Sequence, residues 1–430
     1  MILFVISDLD IRIYMDTLFF NPNKSYVMHI DVNSCFATVE QQANPFLRNK
    51  PIVVAAYNSP GGCVLAASVD AKKLGIKTGM RVKEAKLLCP TVLVLTPDPD
   101  KYRFVHLGIR KIIADYTNDF QPKSIDEFVL NLEGLPCLAN STMKEVGQEI
   151  KNRIRQEVGD YITVSVGIAP NRFLAKTASN LKKPDGLEEI NINNYLEVYS
   201  RLKLTDLTGI ASHNEARLNR MGIFSVLDLY NSSIWKIKAA FHSITGYYWY
   251  LRLRGIEIDS VETTRKTFGN SVALGKNISK IEELSPILIR LTEKMSERLR
   301  SAGYLTRGIH LAIEYKDGSF WHKGLALTKE VFDTRDIYKE VFNLLSLSPS
   351  GKQGSEPVFV RNLAVSLFNL TRFGTLQLAM FEDLEKKQRL VEAIDSANNK
   401  WGDFTLASAL SFKGENVVLD RIAFGGVREL

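Results

Sequence analysis

An apolar strand that carries an acid in its middle is the feature that most constrains how this chain folds. Asp31 lies inside VMHIDVNSCF, and Asp126-Glu127 opens the apolar half of KSIDEFVLNL. Burying even a neutral polar group without a partner costs about 2–7 kcal/mol, and a carboxylate costs more. Such acids therefore need cations. One reading makes Asp126-Glu127 a hairpin cap and gives Asp31 a salt bridge. The other brings the three carboxylates from separate strands onto shared divalent ions, as in sites that hold two metals roughly 3.5–4 Å apart. On these residues alone both readings stand.

The surrounding pattern is that of a mixed α and β protein. Strands are expected at residues 25–36, PIVVAA from Pro51, CVLAAS from Cys63, TVLVL from Thr91 and YITVSVGIA from Tyr161. Helices are expected at 37–49, through Ala71-Lys72-Lys73, from Met80 to Leu88, from Asp100 to Tyr116, from Ser141 to Val158 and from Asn171. Residues 190–258 read as helical, 259–266 as a polar linker, and 267–370 as strand-rich again. The remainder, 371–430, reads as a tail with one charged helix. Residues 1–24 read as an N-terminal extension or as the product of an upstream start codon; the sequence leaves both open. They lack a basic start and a small-residue cleavage site, so no signal peptide is expected.

The 430 residues are 45% hydrophobic and 24% charged, enough apolar surface for several cores. No run approaches the ~18 apolar residues of a membrane span. The cysteines Cys35, Cys63, Cys89 and Cys137 form no Cys-x-x-Cys pair. Neither a zinc site nor a disulfide framework is expected, and a reducing cytoplasm fits. Net charge is +7. The excess concentrates between Arg265 and Arg372, with 17 Lys/Arg against 11 Asp/Glu, as for a domain that lies on phosphates.

HIDVNSCFATVE, CVLAASVDAKKLGIKTGM, SIDEF and VGIAPNRFLAKTASNLKKPDG occur in this order. Together they resemble the signature segments of the Y-family, lesion-bypass DNA polymerases, over about residues 27–370. The resemblance implies an α+β multidomain right hand. Its parts are a palm (25–34 and 100–187), small fingers (35–99), a helical thumb (188–258) and a C-terminal little finger (267–370). It implies a low-fidelity, template-directed polymerase that extends a primer 3′-hydroxyl with dNTPs and bypasses lesions. It would be a monomer in the cytoplasm, at the nucleoid. Two Mg²⁺ ions, with Mn²⁺ as an alternative, would sit on Asp31, Asp126, Glu127 and the carbonyl of Val32. Because neighbouring side chains on a strand point to opposite faces, Asp126 and Glu127 share a site only if the backbone there is irregular.

The same resemblance makes Phe36 the steric gate under the incoming sugar. Lys176, one turn into its helix, would reach the β- and γ-phosphates. Lys72 stands where relatives carry a phosphate-binding arginine, and Ala66 and Val69 where many carry a threonine and a tyrosine. Val64, Leu65 and Ala66 would floor the nascent pair, with Ala67 and Ser68 keeping the site roomy. Leu207-Thr208-Gly209-Ile210-Ala211 resembles a helix–hairpin–helix turn whose Gly209 and Ala211 approach a DNA phosphate, with a Ser212/Glu215 capping box. The aromatic run Tyr247, Tyr248, Trp249 and Tyr250 reads as core packing. Arg265 and Lys266 open the little finger as candidate DNA ligands, with Lys276, Arg307, Lys316 and Arg361 beyond them. Gln377, Leu378, Met380 and Phe381 resemble a bacterial sliding-clamp-binding peptide. Gly62-Cys63-Val64 leans toward the UmuC branch over DNA polymerase IV. The rival readings are a catalytically weak or inactive DNA-binding scaffold and another two-metal enzyme, such as a nucleotide cyclase, on a palm-like sheet.

Overall fold

The computed structural model describes residues 19–260, 265–351, 358–373 and 384–414. These form two compact units, divided near residue 261. Half of the expected linker, residues 261–264, and the clamp-peptide residues Gln377, Leu378, Met380 and Phe381, lie outside the described residues.

The first unit is built on a five-stranded sheet. Its strands are β1 (Val27–Val32), β5 (Phe120–Pro122), β6 (Glu127–Asn131), β7 (Val164–Ala169) and β8 (Leu187–Glu189), in the order β5-β6-β1-β7-β8. The central strand β1 pairs antiparallel with both β6 and β7. Every residue of β1 is buried, including His29 and Asp31. Alternation gives the sheet two different faces. Met28, Ile30 and Val32, with Phe128, Leu130, Val166 and Ile168, point into the larger core. That core is closed by α4 (Pro99–Ala114) and α5 (Met143–Arg153). The helix α4 starts at Pro99, whose fixed φ suits a first turn. A Thr142/Glu145 capping box starts α5.

The other face carries Val27, His29 and Asp31, opposite Ala169, Gly167 and Ser165 of β7. Helix α6 (Arg172–Leu181) lies on this face, packing Leu174, Ala175 and Ala178 against Val27, Val129 and Ala169. Its start is fixed by Asn171, whose side chain accepts from the Leu174 N–H at 2.8 Å. Gly167 is what allows the contact. A Cβ there would stand 2.0 Å from the Ala175 carbonyl oxygen and 2.2 Å from the Ser179 nitrogen.

Between β1 and α4 the chain forms α1 (Cys35–Ala43) and a small sheet of β2 (Ile52–Ala55), β3 (Val64–Ala67) and β4 (Leu93–Leu95), with α2 (Val69–Lys73) and α3 (Val82–Leu88) around it. After β8 come α7 (Tyr195–Arg201), α8 (Ser212–Arg220), α9 (Val226–Asn231), α10 (Ile234–Phe241) and α11 (Thr245–Leu253). Trp249 and Tyr250 are core residues here, with Trp249 edge-on to Phe173 at 5.1 Å, whereas Tyr248 is exposed. The inner end of the expected extension 1–24 packs on the first unit. Phe20 is buried and stacked on Tyr195 at 4.2 Å, and Asn21 bonds the carbonyls of Arg254 and Gly255.

The second unit is an antiparallel four-stranded sheet of β9 (Phe268–Ile278), β10 (Tyr304–Tyr315), β11 (Phe320–Val331) and β12 (Val360–Arg372), ordered β11-β10-β12-β9. Helices α12 (Ile281–Ser301) and α13 (Thr334–Ser346) cover one face with Leu288, Leu291, Met295 and Val341. The expected tail is folded from 384 to 414. Helix α14 (Leu384–Trp401) buries Val391 beside Leu305 and Phe332, and Arg300 donates twice to Asp395, at 2.7 Å each.

The seat of α6 on the sheet is testable. Gly167→Ala overpacks a backbone-to-backbone contact and is expected to lower the stability of the first unit by about 1–3 kcal/mol or more. Urea unfolding of the full chain reads this as a lower midpoint; an unchanged midpoint contradicts the close approach.

Candidate active site

Across the β1–β6 ladder Asp31 stands opposite Glu127, so both side chains leave the same face of the sheet. Asp126 lies one residue before the strand, and its carbonyl accepts the Val32 N–H at 2.9 Å. The backbone is bent at 124–126, so strict strand alternation does not govern this step. Glu127 turns toward α6, where both its carboxylate oxygens accept from Lys176 Nζ at 2.8 and 2.6 Å. Asp126 turns instead into a cleft of about 660 Å³, which Asp31 also lines. Its Oδ1 accepts from the Ser124 hydroxyl at 2.5 Å. Asp31 stands between the two, 2.8 Å from Lys183 Nζ.

Burial raises the Asp31 carboxyl above its ordinary value, although Lys183 pulls it down. Burial likewise raises Asp126 against the bond from Ser124, with the charge of Glu127 adding to the rise. Two lysines thus stand on a cluster of acids that is costly to ionise. The sequence reading sent Lys176 to the phosphates, whereas the structure engages it with Glu127. Lys183, which the sequence assigned only to a turn, lines the cleft. Its turn is pinned from behind. The Asn33 side-chain Oδ1 accepts the Asp185 N–H at 2.7 Å, its Nδ2 donates to Ser165 at 2.8 Å, and the buried Lys151 donates to the Asp185 carbonyl at 2.6 Å.

Behind Glu127 lies His29, 1% exposed, with Nε2 3.7 Å from Glu127 Oε2 and no hydrogen bond at either ring nitrogen. Burial, reinforced by the charges of Lys176, Lys183 and Lys123, pushes its pKa down to about 3. The ring is therefore neutral at physiological pH.

The far wall of the cleft begins at Ser34. This residue holds a left-handed conformation at φ 51° and starts α1 without a side-chain cap, so the positive end of the helix faces the cleft. Phe36 also lines the cleft. Its ring is 3% exposed and lies flat on Tyr102, centroids 4.3 Å apart and planes 12° from parallel. Tyr102 is held in turn, donating to Glu40 at 2.9 Å beside the Lys101–Glu40 ion pair. Leu65, Ala66, Ala67, Val69 and Lys72 complete the cleft. Val64, expected at the floor, and Ser68, expected to keep the site roomy, are not part of this lining: Val64 is in the core of the small sheet, and the Ser68 hydroxyl caps α2 at the Ala71 N–H. Desolvation in the cleft, followed by the charge of Lys183, lowers the Lys72 ammonium below its usual value.

The remaining expected ligands lie elsewhere. Gly209 has φ +104°, a conformation that favours glycine, at the turn before α8. The expected capping box at Ser212 does not form, because Ala211 occupies the cap and Ser212 is already helical. Asn214 closes the turn instead, donating to the Gly209 carbonyl at 3.0 Å. In the second unit, Arg265 lies over the Phe268 ring at 4.2 Å, beside an exposed Lys266. Lys276 is exposed on β9, Lys316 donates to Asn277, and Arg307 and Arg361 pair with Glu330 and Glu314. Among the described residues no helix is long and apolar enough to cross a membrane.

Comparisons with known proteins bear on the family and the fold. Residues 30–180 match the impB/mucB/samB family, and residues 265–380 match that family's C-terminal domain. DNA polymerase IV of Moorella thermoacetica is 34% identical over 403 residues, covering 91% of this chain and 97% of the relative. DNA polymerase IV 2 of Bacillus subtilis is 30% identical, covering 92% and 96%. A solved Y-family DNA polymerase chimera superposes with a TM-score of 0.70 at 24% identity, over 80% of this chain and 99% of that one, and supports the fold. These relatives are of the DNA polymerase IV type, against the lean toward UmuC drawn from Gly62-Cys63-Val64. With matches across both units and this identity over nine-tenths of its length, the chain belongs to the Y family of DNA polymerases.

Proposed function

We propose that Asp31, Asp126 and Glu127, with the main-chain carbonyl of Val32, are the metal-holding centre of this lesion-bypass polymerase, and that it takes two Mg²⁺ ions, with Mn²⁺ as an alternative. Y-family polymerases use divalent metal ions. The donor set fits such ions: it is built of hard oxygens, and two ammonium groups already lie against it. Bound there, the ions supply a lowered pKa at the primer 3′-hydroxyl and charge neutralisation at the triphosphate. The observation that carries the reading is the β1–β6 register, which sets Asp31 against Glu127 and brings Asp126 to the cleft that Phe36 and Lys183 line.

The chain's own residues bind and orient the nucleotide. Lys183 and Lys72 offer ammonium groups to its phosphates, beside the uncapped start of α1. Ala66 and Val69 offer no hydrogen bond there, so triphosphate binding rests on charge. Phe36 lies beneath the sugar and denies space to a 2′-hydroxyl. It cannot swing back, because Tyr102 stacks against it. The small side chains Ala66 and Ala67 leave room for a damaged template base, at the expense of shape discrimination. Gly209 and Ala211 present a turn to the DNA backbone, and Arg265 and Lys266 serve the same backbone from the second unit. Gln377, Leu378, Met380 and Phe381 dock a sliding clamp. The enzyme acts as a monomer on primer-template DNA at the nucleoid.

Asp126→Asn tests the centre in two ways. Mg²⁺-dependent primer extension on intact and abasic templates is expected to fall by at least about 10²–10³-fold. In protein stripped of divalent ions, the same variant is expected to melt higher than wild type at pH 7, by roughly 2–4 °C for each kcal/mol recovered. The sign follows from the raised carboxyl. Its contribution to stability is present below the unfolded-state pKa and is lost as pH rises through the folded-state value, so the gain shrinks toward zero below about pH 4. Full extension activity would remove Asp126 from the centre.

Phe36→Ala is expected to reduce selectivity for deoxynucleotides over ribonucleotides by roughly 10–200-fold, the range for one misfitting group. Single-nucleotide kcat/KM values read this directly. Selectivity equal to wild type means that Phe36 is not the gate.

A further inference from the structure

His29 is a buried group at this site that the polymerase reaction leaves unused. It is 1% exposed, neither ring nitrogen has a hydrogen-bond partner, and the ring points at Glu127. Buried polar atoms without partners are rare in native proteins and ask for an explanation. The ladder supplies one. His29 and Asp31 are two apart on β1 and so share a face, and Glu127 stands opposite Asp31 on that face. Ligand atoms of His29, Asp31 and Glu127 all lie within 4.8 Å of one another.

We propose that His29, Asp31 and Glu127 form a binding site for a borderline transition-metal ion of the Zn²⁺ class. Two carboxylates and one imidazole suit such ions, whereas Mg²⁺ favours oxygen donors alone. Three donors each about 2.1 Å from a common tetrahedral ion are about 3.4 Å apart. Drawing the triangle in from 4.8 Å therefore takes side-chain adjustments of under about 1 Å. Lys176 and Lys183 must withdraw from Glu127 and Asp31, and one divalent charge replaces what they supply. If Asp31 and Glu127 hold the catalytic ions, as proposed above, Zn²⁺ bound here takes two of the three acids out of the reaction. The ion then inhibits synthesis even with Mg²⁺ in excess.

The competing site is the exposed His310–His322 pair on β10 and β11, whose ring nitrogens are 3.2 Å apart. Binding is therefore measured on the full chain with His310→Ala and His322→Ala. Zn²⁺ titrated calorimetrically into this protein, stripped of metal, is expected to bind one site. Adding His29→Gln or His29→Phe is expected to weaken that binding at least tenfold, and zinc X-ray absorption is expected to show imidazole scattering before His29 is changed. Zn²⁺ is also expected to inhibit primer extension at fixed Mg²⁺, with a half-inhibitory concentration that rises at least tenfold in either His29 variant. Two variants guard against one that folds poorly, and the absorption spectrum needs neither. Equal zinc affinity with and without His29, or zinc bound through oxygen alone, overturns the proposal. His29-dependent binding without inhibition upholds the site and instead removes Asp31 and Glu127 from catalysis. Loss of synthesis in Asp126→Asn with zinc binding intact keeps the two readings apart, because Asp126 is outside this ligand set.

Discussion

The structure turns on the cost of holding carboxylates at the edge of a buried strand pair. Asp31 sits in a strand that is buried throughout, and it faces Glu127 across the ladder. Such anions persist only beside cations. The protein meets this from two directions, with Lys176 projecting from α6 onto Glu127 and Lys183 projecting from the following turn onto Asp31. In the proposed reading each ammonium lies where a divalent ion would stand. The site is thereby prepared to exchange one kind of cation for another. Function and stability pull against each other here, since burial raises both Asp31 and Asp126 and neither acid improves the fold at neutral pH.

Several devices elsewhere in the first unit serve that arrangement. Gly167 lets α6 rest backbone-to-backbone on β7, which brings Lys176 within reach of Glu127. Asn33 ties the strand of Asp31 to the turn of Lys183, so the acid and this lysine move together. On the opposite wall, Glu40 fixes Tyr102, and Tyr102 fixes the Phe36 ring. In the proposed reading, a held ring beside a floor of Leu65 and Ala66 would separate two tasks: exclusion at the sugar and tolerance at the base.

Much of this was legible from the chain itself, and the reasons differ from residue to residue. The strands around Asp31 and Glu127 announce themselves by unbroken apolar runs, and an acid inside one can only be structural expense or chemistry. The family resemblance then carried the fold and the activity. The start of α6 was readable because Asn171 is a strong cap. The partner of Lys176 was not, since it depends on how closely α6 approaches the sheet. Lys183 was invisible for a related reason: its turn comes beside Asp31 only through the parallel pairing of β7 with β8. His29 looked like one more strand residue until the register showed which face it shares. At Ser212 the pattern for a capping box was present, but Ala211 took the cap, a shift of one residue that local sequence does not fix.

The most direct measurement is anomalous diffraction from crystals of the enzyme grown with primer-template DNA, an incoming dNTP and Mn²⁺. The account requires manganese density bounded by Asp31, Asp126 and Glu127, with the Lys176 and Lys183 ammoniums moved off the carboxylates. Manganese bound elsewhere while nucleotide occupies the cleft, or density that leaves Asp126 or Glu127 uncoordinated, would contradict it.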